Sequence, residues 1–212
     1  MVRCMALRTF SILKKLQEML VSVGLVVVEN SRAIVPHRSN TPTKIPKMAL
    51  SPHFHYHLIW RRTMNYSKLF EVGKPPFFTL VIDTASLDSL YLQLFDKYKG
   101  AIIRMIRGNK SKTTPDFFNE VAAALQFPYY FGENWDAFND CIKDFHWLQA
   151  DSYLLIIRDA NLLLCDVDSD SFRILIEILS EANEEWITPN LYEDKKSPIP
   201  FHVLFQCNEA YF

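Results

Sequence analysis

From about residue 64 onward, short apolar runs alternate with segments of helical periodicity. Residues 77–82 (FFTLVI) are an apolar run rich in β-formers and predict a strand. Leu87, Leu90, Leu94 and Phe95 then share one helical face, with Ser86 or Asp88 as cap, so a helix is expected to about Lys99, where Gly100 stops it. Residues 101–106 (AIIRMI) predict a second buried strand. Thr113 or Thr114 caps a following helix, with Pro115 and Asp116 in its first turn and Phe117, Phe118, Val121, Ala124 and Leu125 on its buried face. Pro128 breaks that helix and another begins near Glu133. Residues 153–157 (YLLII) predict a strand, Ser169 to about Asn183 a helix, and residues 202–205 (HVLF), after Pro200, a last strand. Continuous apolar strands separated by helices argue for an α/β fold, a parallel sheet buried by helices.

The first sixty-odd residues follow no such order. Residues 10–28 fit an amphipathic helix leading into an apolar run, 19–28, that is too short to span a bilayer. The run vaguely resembles a signal-peptide core, and the acid-poor, Arg-containing stretch fits a transit peptide about as weakly. Residues 31–52 carry Pro36, Pro42, Pro46 and Pro52 among polar residues and read as linker. His53, His55 and His57 alternate as on one strand face, but no acid or Cys accompanies them, which weighs against a metal site. Residues 1–63 are thus read as a basic extension, or as an over-extended start with Met64 as the natural one. Residues 64–212 are read as the folded domain, its core about 101–207.

Charge sharpens that division. Residues 1–62 hold ten Lys/Arg against two acids, Glu18 and Glu29, whereas the remainder holds thirteen against twenty-two. The acidic part should avoid nucleic acid and attract basic partners. Cys4, Cys141, Cys165 and Cys207 lie in no C-x-x-C pair and read as reduced thiols of a cytoplasmic protein, although a pairing such as Cys141 with Cys165 stays open.

The segment 133–145 (ENWDAFNDCIKDF) divides at 3.6 residues per turn. Trp135, Phe138, Ile142 and Phe145 share one face, while Glu133, Asp136, Asp140 and Asp144 share the other. Like charges at i,i+4 cost a few tenths of a kcal/mol per pair. Asp140 and Asp144 also sit where the helix dipole favours cations, and Lys143 relieves only part of that. Such local conflict usually marks a functional surface, though a solvated polar face would look similar.

Residues 127–142 (FPYYFGENWDAFNDCI) resemble, without a gap, the hallmark segment of the barstar family. The matching elements are Pro128, Tyr130-Phe131, Gly132-Glu133-Asn134, Asp136-Ala137 and Asp140-Cys141, and the resemblance extends over about residues 101–207. It implies a small three-stranded parallel sheet packed by helices, to which the strand and helix before Ala101 would be an addition giving a fourth strand. It also implies an intracellular inhibitor whose helix and adjoining loop plug the active site of a basic, secreted, barnase-like ribonuclease. An immunity role follows, with monomeric behaviour, no cofactor, no metal, no catalysis and no membrane contact. By match, Tyr130, Asp136 and Asp140 are expected to bind the partner. Glu133 and Asn134 are added from the same segment, Asp144 from the acidic stripe that continues past it, and Glu181, in LSEAN, by a looser alignment. Asp140 is the expected hot spot. Asn139 stands where a barstar has Trp, and Asp144-Phe145 replaces a Gly-Trp pair; both departures lie at the rim of the family's contact surface.

Two patterns mimic other chemistry. Asp166, Asp168 and Asp170, with Glu177, imitate a calcium loop, but Ser171 replaces its required Gly, and a helix cap explains the acids better. His146 beside Asp136 and Asp140 would suit an enzyme, yet the helical wheel places it off the stripe, as an exposed or capping residue. The rival to ribonuclease inhibition is an acidic module of the same fold for a non-nuclease basic partner.

Overall fold

The computed structural model describes residues 26–28, 65–73, 75–188 and 197–208. The expectations for residues 10–25, the proline-rich linker, the three alternating histidines, Met64 and Cys4 fall outside them. Among the described residues five strands, β1 (Val26–Val28), β2 (Phe77–Val81), β3 (Ala101–Arg107), β4 (Ser152–Arg158) and β5 (Phe201–Cys207), form one parallel sheet in the order β1-β2-β5-β4-β3. Four helices join them: α1 (Thr84–Lys97), α2 (Thr114–Leu125), α3 (Trp135–Asp144) and α4 (Ser169–Ile187). The four long strands match the expected parallel sheet, with β2 added beside β5. The short β1, a run of three valines, is a fifth strand not foreseen, and it ties part of the 1–63 extension to the sheet.

Handedness explains the layering. The chain crosses the sheet one way from β2 to β3 and returns the other way through β4 to β5, so right-handed crossovers place α1 on one face and the later helices on the other. The two buried clusters divide accordingly. Leu87, Leu90 and Leu94 of α1 meet Leu80, Leu154, Ile156 and Leu204 on one side. Phe117, Val121, Phe138, Ile142, Leu175 and Leu179 meet Leu155, Ile157, Val203 and Phe205 on the other. Alternate residues of β4 and β5 thus feed opposite cores, which is why these strands are apolar throughout.

Local chemistry moves several boundaries. α1 is capped by Asp83, whose carboxylate accepts the Ser86 N–H at 2.9 Å, and not by Ser86 or Asp88. Phe95 lies off the buried face and is 52% exposed, because Leu94 takes the core position. Its ring stacks on Tyr91 instead, with the Lys99 ammonium 5.6 Å from its centre. Thr113 caps α2 as expected, while Ala124 is only half-buried. Asp168 accepts the Asp170 and Ser171 N–H groups and caps α4, which accounts for the calcium-like cluster. α4 runs a turn past Asn183 because Trp186 is buried and donates its indole N–H to the Ile142 carbonyl at 3.0 Å. Cys141, Cys165 and Cys207 are free thiols.

Candidate partner-binding face

The site is built from the α2–α3 loop upward. Gln126, at φ 54°, ends α2 in the left-handed region, and the Phe131 N–H closes a turn on the Pro128 carbonyl at 3.0 Å. Phe127 and Phe131 turn inward, edge to face at 4.8 Å, and Phe131 reaches Phe118. Tyr129 and Tyr130 turn outward as a T-shaped pair at 5.6 Å, fully and 57% exposed respectively. The sequence singled out Tyr130-Phe131 as the aromatic pair; the pair facing solvent is Tyr129-Tyr130. Desolvation raises the Tyr130 phenol above its ordinary pKa, with smaller contributions from Cys141, Asp144 and Tyr129.

Glu133 is exposed but stands before α3, at φ 49°, so it is not the first residue of a helical stripe. Asn134 is the cap. Its side-chain oxygen accepts the Ala137 N–H at 2.9 Å and its amide donates to the Gly132 carbonyl at 3.1 Å. Both polar ends of Asn134 are therefore engaged in holding the loop, and its part in the face is to position it.

Within α3 the faces separate as expected. Phe138 and Ile142 are buried and Trp135 half-buried among Phe117, Phe118 and Phe138. Asp136, Asp140 and Asp144 are exposed along the opposite side at successive i,i+4 positions. Neither Asp136 nor Asp140 has an ion-pair partner among the described residues. Cys141 is buried beside them, and its thiol is pushed up by burial first and then by Asp140 and Asp144. The helix ends on Phe145, buried and left-handed at φ 44°, which is held there by stacking on Trp186 and contact with Tyr153.

Two further contacts complete the geometry. Lys143 reaches Glu181 of α4 at 3.0 Å, which brings that acid beside α3. His146 Nδ1–H donates to the Asp144 carboxylate at 2.7 Å, with both side chains exposed. The helical wheel had placed His146 away from the stripe. Left-handed Phe145 turns the chain, so the wheel does not extend to residue 146. Tyr129 is the neighbour that sequence reasoning missed, although it lies inside the hallmark segment; His146 is weighed there only beside Asp136 and Asp140 and set aside as an exposed or capping residue.

Exposed carboxylates with no ion-pair partner among the described residues, on a helix backed by an aromatic core, suit a basic protein surface. Comparison with family models matches residues 102–206 to Barstar (barnase inhibitor). The chain carries a barstar-family domain. No individual curated protein matches the chain significantly. The match begins in β3 and ends in β5, so the barstar domain comprises three strands with α2, α3 and α4 and contains the whole acidic face. β1, β2 and α1 lie outside it. Barstar domains are inhibitors without enzymatic activity of their own.

Proposed function

We propose that the barstar domain inhibits a basic ribonuclease by covering its active site with α3 and the preceding loop. Tyr130, Glu133, Asp136, Asp140, Asp144 and Glu181 make the contacts in this reading, and Asn134 holds the loop that presents them. The carrying observation is the pair of exposed carboxylates Asp136 and Asp140, without an ion-pair partner among the described residues, on a helix whose other side is locked into the core. A ribonuclease cleft lined by Arg, Lys and His to grip phosphates would meet these acids in charge-assisted hydrogen bonds. Desolvation at the centre of such an interface concentrates the energy on few residues, and Asp140, midway along the acidic row, is the expected hot spot. Long-range attraction speeds encounter and makes it salt-sensitive.

The biological reading is an immunity protein, monomeric and cytoplasmic, guarding its cell against its own or a neighbour's secreted ribonuclease. No helix among the described residues is long and apolar enough to cross a membrane. Residues 64–212 form the inhibitor unit in this reading and 1–63 a basic extension, of which Val26–Val28 joins the sheet.

The test is inhibition of a panel of small basic microbial ribonucleases by the full chain, with an active-site nucleotide as competitor. Stoichiometric inhibition relieved by the nucleotide is expected. Binding to a basic protein that the nucleotide leaves untouched would replace this reading with the non-nuclease one.

A further inference from the structure

The turn that leads into α3 divides its aromatic residues between two sides. Phe127 and Phe131 pack inward, edge to face at 4.8 Å, while Tyr129 and Tyr130 face solvent as a T-shaped pair at 5.6 Å, Tyr129 fully exposed. Among the described residues of the barstar domain, these two are the large apolar side chains left exposed; Val72, Leu92 and Phe95 lie before it. The turn is seated on the helix as well as on the core. The Phe131 N–H bonds the Pro128 carbonyl at 3.0 Å, and a Cβ on Gly132 would fall 3.0 Å from the capping Asn134 Nδ2 and 3.5 Å from the Ala137 Cβ in the first turn of α3. An aromatic pair presented on such a base docks at little cost in conformational entropy.

We propose that Tyr129, beside Tyr130, takes an arginine side chain of the partner against its ring, which makes Tyr129 a specificity-determining residue of the binding face. This deepens the inhibitor reading and rests on it. The argument is one of charge. The face of a phenol ring is the negative side of its quadrupole and attracts cations. The exposed charged groups that follow the pair along the chain are acids, Glu133, Asp136 and Asp140. At the end of α1, by contrast, rings hold lysines of their own segment. The Lys99 ammonium lies 5.6 Å from the centre of Phe95 and the Lys97 ammonium 5.2 Å from that of Tyr98. Among the described residues no such contact falls on Tyr129 or Tyr130, so the partner is the source of the cation.

Arginine suits this setting better than lysine. Its planar guanidinium stacks on a ring while its edge keeps N–H donors for a carboxylate, whereas an ammonium is a compact, strongly hydrated charge that gives up more water to reach a ring. An aliphatic or aromatic side chain of the partner would fill the same apolar area but gain nothing from the neighbouring acids. The turn therefore sorts basic partners by an arginine placed beside the acidic helix, and not by net charge alone.

The experiment compares the full chain with Tyr129→Phe and Tyr129→Leu, binding to hexa-arginine and hexa-lysine peptides of equal charge and, separately, to a barnase-type ribonuclease. Tyr129 is fully exposed, so neither variant disturbs the packing of Phe127 and Phe131. Tyr129→Leu keeps every charge and much of the apolar area and removes the ring. The expected result is that the ratio of arginine to lysine affinity falls about two- to fivefold in Tyr129→Leu, the scale of an exposed cation–ring contact, and holds in Tyr129→Phe. Ribonuclease binding should weaken by a similar factor in Tyr129→Leu alone. A ratio unchanged in Tyr129→Leu would overturn the proposal, even if affinity for both peptides fell together, since a uniform loss marks an ordinary apolar contact. A wild type that does not bind the arginine peptide would overturn it as well. Failure of the ribonuclease to bind any of the three proteins would instead defeat the inhibitor reading, and the peptide ratio would then decide the role of Tyr129 by itself.

Discussion

α1 and α3 are both acidic helices on opposite faces of one sheet, and they spend their carboxylates differently. On α1 each acid has a local task. Asp83 caps the helix, Asp88 lies 3.5 Å from the Arg158 guanidinium, and Asp96 pairs with Lys99 at 2.7 Å. On α3 the cap is the neutral Asn134, and Asp136 and Asp140 are left over. In the proposed reading, charge density alone does not mark the partner-binding face; carboxylates that the fold itself does not use do. The backbone tells the same story, since Gln126, Glu133 and Phe145 around α3 are left-handed without being glycine, while no residue of α1 is. Such conformations persist where packing over-determines them, and here Phe127, Phe131 and Trp186 supply that packing.

Substitutions on the two helices should break or sharpen this contrast. The largest effect is expected for Asp140→Ala, which should weaken binding to a basic ribonuclease by about 2 kcal/mol or more, about thirtyfold, with unfolding unchanged. The matching change on α1, Asp96→Ala, should leave inhibition at the wild-type level when both are titrated side by side. Next comes Asn134→Ala, expected to cost about 1 kcal/mol of stability in urea unfolding through the lost cap. It should also weaken inhibition by loosening the loop that carries Tyr130.

A third expectation concerns the sheet face under α1. His202 is buried on central β5, where its Nδ1–H holds the Leu69 carbonyl at 3.1 Å. Desolvation keeps its pKa below the ordinary 6.5. The folded protein thus holds the ring neutral while the unfolded chain accepts a proton, so the stability contributed by this site is complete above about pH 6.5 and lost as pH falls below it. Urea midpoints measured between about pH 7.5 and 5.5 should decline in the wild type and decline less in His202→Leu. The smallest effect is expected for Lys143→Met, which releases Glu181 and removes a partly exposed ion pair worth about 0.2–1 kcal/mol. It should show mainly as a change in association rate.

Much of this was legible in the sequence because periodicity and packing agree there. The runs at 77–82, 101–106 and 153–157 fall on β2 (to Val81), β3 and β4, and the split of α3 into Phe138 and Ile142 against Asp136 and Asp140 is present in the fold. What the sequence hid depends on backbone conformations that periodicity does not encode. Glu133 reads as the first acid of a helix until its left-handed φ places it in the loop, and His146 reads as remote until Phe145 turns the chain. Phe95 reads as core because adjacent apolar residues compete for one face, and Leu94 wins it. The three valines of β1 carry too short a signal to reveal their partner across the chain.

The most direct test of the central claim is an inhibition titration of a barnase-type ribonuclease by the full chain and by its isosteric Asp136→Asn/Asp140→Asn double variant. Removing these two charges without changing shape should turn one-to-one inhibition into none at the same concentrations. A double variant that still inhibits stoichiometrically would contradict the account and move the binding surface away from α3.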